Sequence, residues 1–229
     1  MKAAARARKP RRRRPSPAER ARIETIFRRF EAATANPSTE LEYETPFTLL
    51  VSVVLSAQAT DKSVNKATEK LYQVAATPLE MLALGEAGLI PYIASIGLFR
   101  MKAKNVVALS RILVNDYGGE VPLERAKLQA LPGVGRKTAS VVLNELGVEP
   151  AIAVDTHVFR VAHRLKLSKG KTPEDVELDL MAVVPDWAKR RAHHWLILHG
   201  RYTCVARKPK CRECVVADLC PSRELFMGA

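Results

Sequence analysis

Residues 131–139 read LPGVGRKTA, and the fold of the whole chain turns on what this run becomes. LERAKLQA (123–130) before it is helical by propensity, and KTASVVLNEL (137–146) after it is helical by period, so LPGVG is expected to be a tight hairpin between two helices. A dinucleotide fingerprint needs a preceding strand, and a nucleotide P-loop needs its glycine directly before Lys-Ser/Thr, whereas here Arg136 intervenes. What remains is a helix-hairpin-helix in which Gly133 and Gly135 let the backbone turn closely enough for N–H groups at the second helix's start to bind a phosphate. An ordinary turn between helices is the bland alternative. Arg136 and Lys137 add an electrostatic puzzle, because they occupy the first turn, where the positive end of the macrodipole disfavours cations. Either the helix end faces an anion, or the mismatch serves to favour the unprotonated amine of Lys137.

Helical patterning extends along the chain. In PSPAER (15–20), Ser16 can cap a helix and Pro17 can take its first position. Ile23, Ile26, Phe27 and Phe30 then recur at the spacing of one helical face. Further helical patterns cover 46–58, 61–74, 87–95, 100–116, 124–130, 136–146, 156–166, 173–183 and 188–199, and LEYET (41–45) is the one short extended candidate. The expectation is an all-α protein with short turns. Trp195, Leu196 and Leu198 are expected in the core, and His157 as packing. With 229 residues and 47% hydrophobic content, the chain can fill one large core or two small ones without disulfide staples.

Charge narrows the partner. The net charge is +13, of which +8 falls in the first twenty residues. Residues 1–17 read as a basic, low-complexity arm, expected to be disordered. An Arg-rich arm on a basic body predicts a polyanionic partner, with nucleic acid ahead of a membrane surface because the arm has no apolar face. A solubilising tail is the alternative. The longest apolar stretch, PFTLLVSVVLSA (46–57), is well short of the ~20 residues of a membrane span, and no signal-peptide apolar region precedes it. A soluble, intracellular protein with no membrane association is expected, although the Arg-rich start also fits a transit peptide or nuclear address.

Cys204, Cys211, Cys214 and Cys220 stand as C-x6-C-x2-C-x5-C, with no other cysteine in the chain. Four thiols in so short a segment can close around one metal centre. Disulfides fit an intracellular setting poorly. Zinc competes, but zinc ribbons pair two short knuckles, and only Cys211 and Cys214 make one here. The loop carries Arg207, Lys208 and Lys210 and no acid between its first two cysteines, a basic finger.

Together with VLSAQATDKSVNKAT (54–68), SIGLFRMKAKN (95–105), AVDTHVFRVAHR (153–164) and HHWLILHGRYTC (193–204), these motifs resemble the endonuclease III family of base-excision DNA glycosylases over nearly everything after the arm. The resemblance implies two helical domains flanking a DNA-binding groove: a continuous six-helix domain at 39–149 with the helix-hairpin-helix, and a second joining 18–38 to 150–229, with a [4Fe-4S] cluster on the four cysteines. It implies Lys137 as the amine that attacks the sugar and forms a Schiff base, where the residue alone reads equally as a phosphate contact. It implies Asp155 as a catalytic carboxylate, where the residue alone reads as an N-cap. Gln58 and Leu98 resemble the residues that fill the void left by an extracted base; alone they are a helix-terminal amide and a loop staple. Gly133, Gly135, Arg136, Arg207, Lys208 and Lys210 are the remaining expected DNA contacts.

The implied reaction removes oxidised pyrimidines from double-stranded DNA and cleaves 3′ to the abasic site by β-elimination. The expected protein is a monomer acting in the cytoplasm on chromosomal DNA. Adenine glycosylases of the superfamily lack lysine at this helix position and carry a further C-terminal domain, while here nine residues follow Cys220. A non-catalytic DNA-scanning clamp and a zinc-stabilised DNA-binding module are the other readings.

Overall fold

The computed structural model describes residues 15–227, so the expectation for the arm falls almost entirely outside the described residues. Helix α1 (Pro17–Ala33) opens on Ser16, whose hydroxyl and the Glu19 carboxylate satisfy each other's backbone amides in a capping box, and it buries Ile23, Ile26, Phe27 and Phe30. At roughly 1.5–3 kcal/mol for each large apolar side chain removed from water, this stripe is what docks α1. There follow α2 (Pro46–Leu55), α3 (Asp61–Leu71), α4 (Pro78–Ile93), α5 (Phe99–Tyr117), α6 (Arg125–Gln129), α7 (Arg136–Glu145), α8 (Thr156–Arg164), α9 (Pro173–Val183), α10 (Lys189–Tyr202), a 3-10 turn at Ala217–Leu219 and α11 (Glu224–Met227). No strand occurs among the described residues; LEYET is irregular chain that buries Leu41.

Two apolar cores organise these helices. The first runs from Leu41 to Leu143 and is built by α2 to α7. Helix α2 is its axis: every residue from Phe47 to Leu55 is buried, the all-round pattern of a helix with no face to water. The second joins the α1 stripe to Val158, Val161, Leu180, Trp195, Leu196 and Val216. Leu198 departs from the expectation and is only half-buried, since α10 turns it away from this core.

Helix α4 is longer than its pattern. The periodicity marks only 87–95, whereas the helix begins at Pro78, capped by Thr77 and Glu80, and passes through Gly85 at φ 66°, where the backbone kinks. Gly85 and Pro91 read as breakers, yet Pro78 sits at the first helical position, where proline costs nothing.

Candidate active site

The two cores face each other across a cleft, and the hairpin lies at its edge. Leu131 and Val134 are buried and anchor the hairpin to the first core. Gly133 makes the turn at φ 78°, and a Cβ there would meet the Asn105 side chain at 3.0 Å. Gly135 is different. It is the N-cap of α7 in extended conformation (φ −84°, ψ 179°), and a Cβ there would meet nothing within 4 Å. The sequence credits both glycines with the turn; the structure gives the turn to Gly133 and leaves Gly135 to keep the approach open. No side chain caps α7, so the amide N–H groups of its first turn remain available to an anion from outside.

Arg136 resolves half of the electrostatic puzzle. Its Nε donates to Oε2 of Glu177 at 2.6 Å, and Glu177 belongs to α9 of the second core. One of the two cations in the first turn is therefore matched by a carboxylate, while Lys137 is not. Lys137 is exposed and helps line a cleft pocket with Ser56, Asp61, Thr138, His193 and Arg201.

Asp155 is the N-cap of α8, accepting from the amides of His157 at 2.9 Å and Val158 at 2.8 Å. Both bonds fall on Oδ1, so capping uses one oxygen of the two. His193 lines the pocket of Lys137 and bonds the chain that leads to Asp155. Burial pushes its imidazole down to about 3, His194 adds to that, and of the two candidate catalytic groups Asp155 acts to raise it while Lys137 acts to lower it. Neutral His193 donates from Nδ1 to the Ala153 carbonyl at 2.9 Å, which holds the extended approach to Asp155. His157 packs against Gly200 of α10, in keeping with a packing role. An exposed amine beside amides open to a phosphate, with a half-buried carboxylate at the start of α8, is chemistry suited to covalent attack on a sugar with proton transfer and charge stabilisation.

Gln58 and Leu98 share an unusual backbone. They are two of three non-glycine residues with positive φ among the described residues, at 55° and 60°, and both side chains are exposed. Each such conformation costs of order 1–3 kcal/mol, which marks residues held by their surroundings. Their loops adjoin: the Cβ position of Gly97 lies 3.9 Å from the Gln58 carbonyl.

The four cysteines are free thiols lining one pocket with Leu165, Pro209, Ala217 and Phe226. Burial pushes the Cys214 and Cys220 thiols up, as expected where thiolates need a cation. Among the described residues no three His, Cys, Asp or Glu side chains converge on a single ion position. The four thiols share one site, and thiolate is the ligand an iron–sulfur group takes. Arg207, Lys208 and Lys210 are exposed at the rim. Sequence reasoning missed the residues that hold this loop. Arg164 donates to the carbonyls of Val205 at 2.8 Å and Ala206 at 2.7 Å, and Arg160 donates to Cys204 at 3.0 Å and Gly200 at 2.8 Å. Their i, i+4 spacing on α8 was the only available signal.

A hairpin whose second helix starts open to phosphate, an exposed amine in that helix's first turn, and a four-cysteine loop define a helix-hairpin-helix DNA glycosylase. Residues 51–186 match the model of the HhH-GPD superfamily base excision DNA repair proteins, and residues 204–220 match the iron-sulfur binding domain of endonuclease III. Endonuclease III of Escherichia coli (strain K12) is 56% identical over 199 residues, covering 87% of this chain and 94% of that one. Endonuclease III of Haemophilus influenzae is 55% identical over 203 residues, covering 89% and 96%. Among solved structures, a non-covalent endonuclease III–DNA complex superposes with a TM-score of 0.86 at 40% identity over 92% of this chain and 99% of that one. A trapped endonuclease III–DNA covalent intermediate gives 0.85 at 41% identity over 91% and 98%. The chain belongs to the endonuclease III family. It is a base-excision DNA repair enzyme, a bifunctional DNA glycosylase and abasic-site lyase with a [4Fe-4S] cofactor.

Proposed function

We propose that this chain excises oxidised pyrimidines from duplex DNA with Lys137 as nucleophile and Asp155 as its carboxylate partner. The observation that carries the assignment is that Lys137 of α7 lines one pocket with His193, whose Nδ1 donates to the Ala153 carbonyl two residues before Asp155. DNA docks with a phosphate on the open amides after Gly133 and Gly135. The damaged nucleotide leaves the stack, with Gln58 and Leu98 entering the space it vacates. The unprotonated Nζ of Lys137 attacks the anomeric carbon, the base departs, and the ring opens to a Schiff base. Asp155 stabilises the developing positive charge and accepts a proton. Loss of the proton at C2′ expels the 3′ phosphate by β-elimination, and hydrolysis of the imine frees the lysine.

Cys204, Cys211, Cys214 and Cys220 are the residues that would hold the [4Fe-4S] cluster, which when bound supplies a covalent cross-link of the loop. Arg207, Lys208 and Lys210 then face the phosphates from a fixed frame. The two cores support a division into a domain at 39–149 and another joining 18–38 to 150–229. Because one chain contains every group the reaction needs, it acts as a monomer, on chromosomal DNA in the cytoplasm. No helix among the described residues is long and apolar enough to cross a membrane.

Single-turnover assays on duplexes carrying thymine glycol, an abasic site, or adenine opposite 8-oxoguanine test the reading. Release of thymine glycol with strand cleavage is expected, with no release of adenine. Adenine release without cleavage would replace this reading with the adenine-type one.

A further inference from the structure

We infer that Glu177 is a positioning residue for the reaction: a buried carboxylate that packs from α9 of the second core onto the catalytic helix α7 and fixes how that helix is rotated. The inference rests on the role proposed for Lys137. Glu177 is 8% exposed. Its Oε2 accepts from Arg136 Nε at 2.6 Å, and its Oε1 accepts from Ser140 Oγ at 3.3 Å. Arg136 and Ser140 stand four apart on α7 and so lie one above the other on one face. A single carboxylate thereby grips two successive turns. Ser140 is held from its other side as well, by Arg125 Nη1 at 2.7 Å, and Arg125 continues to Glu149. The chain of contacts crosses from α6 through α7 to α9.

This grip matters because the start of α7 has no local constraint. Gly135 offers no side-chain cap, which keeps the amides open for DNA and leaves the first turn unsecured. Lys137 follows Arg136 directly, roughly 100° around the helix, and Val141, four residues on, lines the same cleft pocket as Lys137. Holding the 136/140 face therefore sets where the 137/141 face points. A rotation of about 10° moves an atom at a radius of roughly 5–6 Å by about 1 Å. Misplacement of that size costs on the order of 10²-fold in rate. Arg136 is one end of this tether. Were it to leave Glu177 for a phosphate, a buried carboxylate would lose its charged partner, which is strongly unfavourable.

The test uses the full-length, cluster-loaded protein and Glu177→Gln, which preserves shape and removes charge, with Glu177→Asp, which preserves charge and shortens the reach, as the second variant. Three quantities are measured on an abasic duplex: the borohydride-trapping rate at saturating enzyme, the dissociation constant, and Tm. The expected result for either variant is a trapping rate at least tenfold lower, with the dissociation constant within about threefold of the parent and visible absorbance retained. Combining Glu177→Gln with Arg136→Gln should add little further loss, because the two act as one unit. A trapping rate within twofold of the parent in either variant overturns the inference, as does a proportional fall in rate, affinity and Tm. If the parent itself fails to trap, the role of Lys137 fails instead, and the two failures are told apart.

Discussion

At the scale of a residue, Asp155 caps α8, and the catalytic role proposed for it makes a different demand. Capping α8 needs an oxygen acceptor toward two amides, and stabilising positive charge needs a full negative charge. Asp155→Asn retains the acceptor and loses the charge. Lyase activity at saturating enzyme should fall by 10² or more, while Tm moves by no more than a few degrees, since asparagine caps about as well as aspartate. Tm falling in step with activity would leave only the cap. The roles proposed for Lys137 and Asp155 come from the family resemblance, since alone the first reads equally as a phosphate contact and the second as an N-cap, and the structure has that cap. Glu177 and His193 were not readable. Glu177 lies 41 positions from Arg136 and His193 lies 40 from Ala153, inside amphipathic helices where a glutamate or histidine carries no local mark. Only folding brings them to the groove.

Helices and loops show the same division. The α1 stripe, the cap at Ser16 and the hairpin at Gly133 follow from local rules, and the structure has them where those rules put them. The first half of α4 was hidden because Gly85, at φ 66°, breaks the helical backbone, so 78–84 carries no period continuous with 87–95. The cysteine spacing announces a metal loop, but the arginines of α8 that hold it lie 40 residues earlier. Loop order depends on both. Cys211→Ser removes one thiolate from a closed site whose formation is coupled to folding, so visible absorbance and soluble yield should fall together. DNA affinity should fall with them, because Arg207, Lys208 and Lys210 lose their frame. Stoichiometric zinc without iron in parent protein purified without oxygen would contradict the cluster.

For the whole molecule, charge and chemistry separate. Deleting residues 1–17 removes eight positive charges and leaves every proposed catalytic residue in place. Single-turnover base removal at saturating enzyme should hardly change, while non-specific affinity weakens. The slope of log K against log salt should become shallower, by about 0.9 for each B-DNA phosphate that the arm no longer neutralises. Identical slopes for full-length and truncated protein would mean that the arm takes no part in binding. The rest of the chemistry converges on one covalent bond between α7 and the sugar, and borohydride trapping on an abasic duplex followed by peptide mass mapping reads that bond directly. One protein–DNA adduct is expected, located on Lys137, and none from Lys137→Gln even though that variant binds the same duplex within about threefold of the parent. An adduct on another residue, or trapping by Lys137→Gln at the parent's rate, would contradict the assignment of Lys137 as the nucleophile.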